Sequence, residues 1–91
     1  MSQKPHRSSS LEVAHIASHI NEAFETADIS TICRAIWDAV EMHNITHIAE
    51  KAGLQRSSIY RAFGGEQRPN FSTLLNVLTA MDLQLKVVQR R

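Results

Sequence analysis

Residues 48–63 of the 91-residue chain read IAEKAGLQRSSIYRAF, the layout of two short helices joined by a tight turn. Gly53 can adopt the positive φ that a sharp turn requires. Ala49 is small where the second helix must pass close over the first, and Leu54 and Ile59 are apolar on either side of the turn. This stretch therefore predicts a helix-turn-helix pair anchored to a hydrophobic core.

The second helix of the pair, predicted from Arg56 to Phe63, has two unlike faces when it is wound at about 100° per residue. One face is small or apolar and comprises Ser58, Ile59, Ala62 and Phe63. The other carries guanidinium and hydroxyl groups, from Arg56, Ser57, Tyr60 and Arg61. Arginine can bond guanine O6 and N7 together, and hydroxyl groups can reach bases or phosphates. The pattern favours a helix that enters a DNA major groove over an ordinary solvated face.

Three residues outside this helix complete the predicted DNA-binding set. Gln55 directly precedes the helix, and Arg68 follows it in the next loop. His47 lies near the start of the helix-turn-helix, where it can touch a phosphate or simply face solvent. Both roles for His47 stay open from the sequence.

Apolar residues recur at three- and four-residue spacing elsewhere and predict an all-α domain of five helices over residues 11–91. The predicted starts are Leu11, Ile29 after an Asp28 cap, His47 after a Thr46 cap, Arg56, and the residue after Asn70. Residues 83–87 alternate between apolar and polar side chains, which predicts a short strand. Residues 1–10 hold Pro5 and three serines with nothing to bury, so a flexible arm is expected there.

Length and composition restrict the class of protein. Ninety-one residues suit one domain with a small core, which dimerisation would help to stabilise. No apolar run approaches the roughly 18 residues of a membrane helix, and the first ten residues lack the apolar stretch of a secretory signal. A cytoplasmic, nucleoid-associated protein is therefore expected. The single cysteine, Cys33, excludes an internal disulfide and a multi-cysteine metal site.

The sequence offers little support for metal binding or catalysis. His15 and His19 are four residues apart, a spacing that suits zinc, but a zinc site requires further ligands, so a solvated face is expected. Cys33 lies on an apolar helix side without a neighbouring base and is expected to be an inert thiol of the core, like its neighbour Trp37. We expect no cofactor, no metal and no enzymatic activity.

Charge is divided unevenly along the chain, although the net charge is only +1. Residues 1–44 carry three basic and six acidic side chains and are net −3, whereas residues 45–91 carry seven and three and are net +4. Such a chain can offer a basic face to a polyanion and a less basic face to a protein.

Several motifs occur in a fixed order: Glu22-Ala23-Phe24, Ala49-x-x-x-Gly53-Leu54, Ser58-Ile59-Tyr60-Arg61-Ala62, Pro69-x-Phe71-Ser72-Thr73-Leu74-Leu75 and Leu83-x-Leu85-x-Val87. With these motifs the chain resembles, over residues 11–88, the lambda-repressor-like antidote proteins of bacterial addiction modules, which are the antitoxins of toxin–antitoxin pairs. Two residues depart from the usual pattern of this family, and both departures concern local stability. Gln55 stands where the family usually has Ser or Thr, and Asp82 replaces an expected glycine.

The resemblance implies a sequence-specific DNA-binding antitoxin that neutralises a small cognate toxin and represses their shared operon. A homodimer is predicted because a domain of this size presents only one recognition helix, which gives little specific affinity unless it is paired. Its DNA partner would be a double-stranded operator. A phage- or plasmid-type repressor without a toxin, or an interaction module that no longer binds DNA, are the alternatives. The dimer interface is left open between the C-terminal strand and the fifth helix around Leu75 and Leu78. The acidic face of the first helix is predicted to contact the toxin, through Glu12, His15, His19, Glu22 and Glu25.

Overall fold

Five helices form the regular structure of the chain over residues 10–64 and 68–90, the part that the computed structural model describes. They are α1 Ser10–Glu25, α2 Ile29–Met42, α3 Ile45–Ala52, α4 Arg56–Phe63 and α5 Phe71–Ala80. The prediction of an all-α chain with five helices is confirmed. The predicted arm lies outside the described residues except for Ser10, which begins α1. None of the described helices is both long enough and apolar enough to cross a membrane.

Short polar side chains fix where three of the helices begin. Asp28 Oδ2 accepts hydrogen bonds from the Thr31 backbone N–H at 2.9 Å and from the Thr31 hydroxyl at 2.7 Å, as predicted for the cap of α2. These two bonds, with a smaller contribution from Arg68, hold the pKa of the Asp28 carboxyl below its ordinary value. Asn70 caps α5 in the same way, because its Oδ1 accepts from the Thr73 N–H at 2.8 Å.

The predicted cap of α3 was wrong. Asn44, not Thr46, is the cap, and its Oδ1 accepts from the Thr46 N–H at 2.9 Å and from the His47 N–H at 3.3 Å. The helix therefore starts at Ile45, two residues earlier than predicted. Asparagine caps helices at least as well as threonine, and an asparagine two residues upstream takes precedence.

The core is built around α2, which packs against α1, α3 and α4, while α5 packs against α3. Ile36 and Val40 of α2 are fully buried, as are Ile48 of α3, Ile59 of α4 and Val77 of α5. Each of these side chains contributes about 1.5–3 kcal/mol through its removal from water. Helix α2 thus contacts both α1 and the α3–α4 pair.

Two residues at the edge of the core need separate description. Cys33 is a half-buried free thiol, and its burial raises its pKa, an effect that the Arg68 charge partly opposes. Ala27 is exposed and has a positive φ of 56°. It belongs to the turn between α1 and α2, since α1 already ends at Glu25.

The predicted C-terminal strand is not seen. Residues 83–90 have no regular secondary structure, and their apolar side chains become more exposed along the chain, from half-buried Leu83 to Val87 at 96%. A strand requires a second strand to pair with, and the described part of this single chain supplies none. The alternating pattern is therefore present without the hydrogen bonding that a strand needs.

Gly53 and Ala27 give a matched pair of stability predictions, because both adopt left-handed backbone conformations, with φ of 71° and 56°. Gly53→Ala should lower the free energy of unfolding by about 0.5–1 kcal/mol, since left-handed strain exceeds the entropy that alanine removes from the unfolded chain. A side chain at Gly53 would meet no atom within 4 Å, so collision does not contribute. Ala27→Gly should raise stability by a similar amount.

Urea unfolding of the two variants and the wild type measures both changes. Gly53→Asn serves as a control, because asparagine tolerates the left-handed region better than alanine, so it should lose less stability than Gly53→Ala. Equal stability of Gly53→Ala and wild type would show that the turn does not require a positive φ.

Candidate nucleic-acid interface

The turn between α3 and α4 is set by Gly53. Its φ of 71° and ψ of 31° lie in the left-handed region, as the sequence predicted, and its N–H donates to the Glu50 carbonyl at 3.3 Å. The next N–H, of Leu54, donates to the Ala49 carbonyl at 2.9 Å. These bonds close α3, so the chain reverses within three residues and α4 begins at Arg56.

Helix α4 has the two faces that its sequence predicts. Ile59 and Phe63 are 0% and 3% exposed, and Ser58 and Ala62 beside them are half-buried. The other face is exposed throughout and consists of Arg56, Ser57, Tyr60 and Arg61. Two guanidinium groups and two hydroxyl groups are thus presented together on a helix whose opposite side is fixed in the core.

The first turn of α4 keeps backbone donors available. Gln55 occupies the cap position but makes no side-chain capping bond, in agreement with its departure from Ser or Thr. Its carbonyl accepts from the N–H groups of Ser58 at 3.0 Å and Ile59 at 3.3 Å, as in any helix start. N–H groups at an uncapped helix N-terminus, together with the helix dipole, suit an anion such as a phosphate.

The two remaining predicted contacts lie elsewhere. His47 is exposed in the first turn of α3, with its backbone N–H committed to Asn44. Arg68 is exposed in the loop before α5, and its charge lowers the pKa of Asp28 and opposes the rise at Cys33. Arg68 therefore lies near the start of α2. Five of the seven predicted residues share α4 and its cap, and two are contributed by other elements.

One contact at this face has no counterpart in the sequence prediction. Trp37 of α2, assigned only to the core, is half-buried and packs against Tyr60, with ring centroids 5.3 Å apart and ring planes at 55°. The pair joins two residues far apart in the sequence, so no local pattern indicates it. They are the single tryptophan and the single tyrosine of the chain.

A second surface lies where α1 packs against α2. A shallow pocket there is lined by His15, Ile16, His19, Asp38, Ala39 and Met42. His19 Nε2 lies 3.4 Å from Asp38 Oδ2, and Met42 is 63% exposed. Within residues 10–64 and 68–90, no group of three or more His, Cys, Asp or Glu residues could hold a metal ion.

Comparison with known proteins identifies the family. A family model described as a probable addiction module antidote protein matches residues 7–89. The chain belongs to this antidote family. An uncharacterised protein of Haemophilus influenzae is 34% identical to this chain over 76 residues, which cover 84% of the chain and 78% of that relative. No solved structure gives a significant match.

Membership confirms the antidote-family part of the resemblance drawn from the motifs and implies that the protein has a toxin as a partner. Glu22 and Glu25 are exposed on α1, as are His15 and His19. The acidic surface of α1 and the cationic face of α4 are therefore on different helices, both packed against α2.

Proposed function

We propose that the antidote is a DNA-binding antitoxin that neutralises a small toxin and represses the operon that encodes both. In this proposal α3 and α4 form a lambda-repressor-like helix-turn-helix, and α4 is the recognition helix in the major groove of a double-stranded operator. The observation that carries the proposal is the exposed face of Arg56, Ser57, Tyr60 and Arg61 directly after the Gly53 turn. DNA binding would keep the protein at the nucleoid.

In this proposal the residues at and around α4 divide into those that contact bases and those that contact phosphates. Arg56 and Arg61 are long enough to reach base edges, where a guanidinium group selects guanine. Gln55 and the N–H groups at the start of α4 are suited to a phosphate, which fixes the position of the helix on the duplex. Arg68 and His47, on neighbouring elements, would extend the phosphate contacts on either side.

The small DNA-contacting face of a single α4 helix favours a homodimer. One helix of two turns provides little specific affinity, and helix-turn-helix proteins pair two such helices across about one turn of DNA. Residues 83–90 supply a suitable interface, because Leu85, Val87 and Val88 are exposed and apolar. Association with the same segment of a second copy would cover these side chains. The α5 alternative is weaker, since Leu78 is buried within the monomer.

We assign toxin binding to the outer surface of α1. Helix α1 packs against α2 and takes no part in the α3–α4 pair, so its outer surface is available while DNA is bound. Glu22 and Glu25 give that surface a negative charge that would speed encounter with a basic toxin. A repressor without a toxin, the second candidate, would use α1 only to cover the core with Ile16 and Ile20. Retention of a toxin by the antidote separates these two functions.

The first prediction concerns Arg56 and Arg61. Arg→Ala at a base-reading position should cost about 1–3 kcal/mol of binding free energy and relax preference at one base pair. At a phosphate-contacting position the substitution should weaken binding to all DNA sequences. It should also reduce the slope of log affinity against log salt concentration by about one. Electrophoretic titration of a duplex from upstream of the antidote's own gene measures both.

Arg34→Ala is the matched control, because Arg34 is equally an exposed arginine but lies on α2. It should leave binding to the upstream duplex unchanged. If the Arg56→Ala/Arg61→Ala double variant binds like wild type, α4 is not the recognition helix.

The second prediction concerns the dimer. Val87→Asp places a charge in the proposed interface and should convert the dimer to monomer, whereas Phe71→Ala, at the exposed start of α5, should leave it intact. Sedimentation velocity of both variants gives the result. The reverse outcome would move the interface to α5, and a wild-type monomer at every concentration tested would exclude the dimer.

The third prediction concerns the toxin. Glu22→Lys combined with Glu25→Lys reverses the charge of the α1 surface without altering the buried face of the helix, so co-purification of the neighbouring gene product should fall, most clearly at low salt. Glu50→Lys makes the same kind of change on α3 and should have no effect. Undiminished capture by the double variant would remove the acidic α1 surface from toxin binding.

A further inference from the structure

We propose that Trp37 is a positioning residue for DNA recognition: its indole fixes the Tyr60 ring and thereby the hydroxyl group that α4 presents to the operator. This inference rests on the proposed DNA-binding function. It assigns to Trp37 a task beyond filling space in the core.

The geometry of the Trp37–Tyr60 pair supports a defined orientation of the two rings. The ring centroids are 5.3 Å apart and the planes are inclined at 55°, within the tilted arrangements that aromatic pairs prefer. Trp37 is half-buried and packs against the core on the same helix as the fully buried Ile36 and Val40. One ring of the pair is thus anchored, and it limits the freedom of the other.

Tyr60 would otherwise be free to sample several rotamers. It is 50% exposed, and it lies on the solvent side of α4 with Arg56 one turn earlier. An unrestrained tyrosine loses rotamer freedom when its hydroxyl binds a base or phosphate, and that loss weakens the complex. Because the Trp37 indole already restricts the ring, less freedom remains to be lost on binding DNA.

Tertiary contacts also hold α4 itself in place. The helix has only eight residues, and its cap residue Gln55 makes no side-chain capping bond, so tertiary contacts must hold it in place. Ile59 and Phe63 anchor the buried side, and Trp37 contacts the exposed side through Tyr60. Because Ile59 and Phe63 already fix the helix, the Trp37 contact acts on the orientation of the Tyr60 ring.

A double-mutant cycle separates positioning from simple packing. The probe is a duplex of about 25 base pairs, selected by the wild-type protein from a random pool and long enough for two half-sites one DNA turn apart. Tyr60→Phe keeps the ring on Trp37 and removes only the hydroxyl, whereas Trp37→Leu keeps an apolar side chain and removes the aromatic surface. Affinities of both variants and of the combined variant are measured for the selected duplex and for a scrambled one.

We expect each single variant to lose about tenfold in affinity for the selected duplex, the size of one good polar contact. The combined variant should lose no more than Tyr60→Phe alone, because the indole has no hydroxyl left to position. Trp37→Phe, which retains an aromatic ring, should recover most of the affinity. Ile20→Val, a core change on α1, should lower stability and leave the affinity unchanged.

Two results would overturn the inference. Additive losses in the combined variant would show that Trp37 acts by packing alone, and wild-type affinity of folded Trp37→Leu would show that it does not act at all. If Trp37→Leu does not fold, Trp37→Met replaces it, since the flexible methionine side chain fills the same space without a ring. Failure of the wild type to select any duplex would instead refute the proposed DNA-binding function.

Discussion

The burial of one apolar stripe on α2 is the constraint on which the rest of the structure depends. Ile36 and Val40 are fully removed from solvent, and the helix that carries them contacts α1, α3 and α4. In a chain of 91 residues the core is small, so each buried side chain is a large fraction of the total stability. The exposed face of α4 keeps its direction only because Ile59 and Phe63 are held in this core.

Local signals in the sequence predicted what depends on neighbouring residues. The bounds of α4 and its two faces follow from the Gly53 turn and from the spacing of Ile59 and Phe63, and the structure agrees with both. The Asp28 cap was predicted for the same reason, because capping is decided within one turn of helix. The cap of α3 was missed because two capping residues, Asn44 and Thr46, compete within three positions.

Features that depend on distant residues could not be predicted in this way. The alternation at residues 83–87 indicates a strand, but a strand forms only where another strand is available, and sequence alone does not supply its partner. The contact between Trp37 and Tyr60 joins α2 to α4, so the apolar periodicity of either helix alone does not predict it. The exposed face of α4 was therefore predictable from the sequence, but the contact of Trp37 with Tyr60 on that face was not.

Adjacent residues of α2 contact α1 and α4. Trp37 contacts Tyr60 of α4, and Asp38 lies 3.4 Å from His19 of α1. Successive residues of a helix point about 100° apart, so one turn of α2 serves both the cationic face and the acidic surface. The two surfaces are consequently held at a fixed separation by a rigid helix with a buried stripe. A substitution inside that stripe, such as at Ile36, disturbs both surfaces together, whereas a substitution on either surface disturbs only its own.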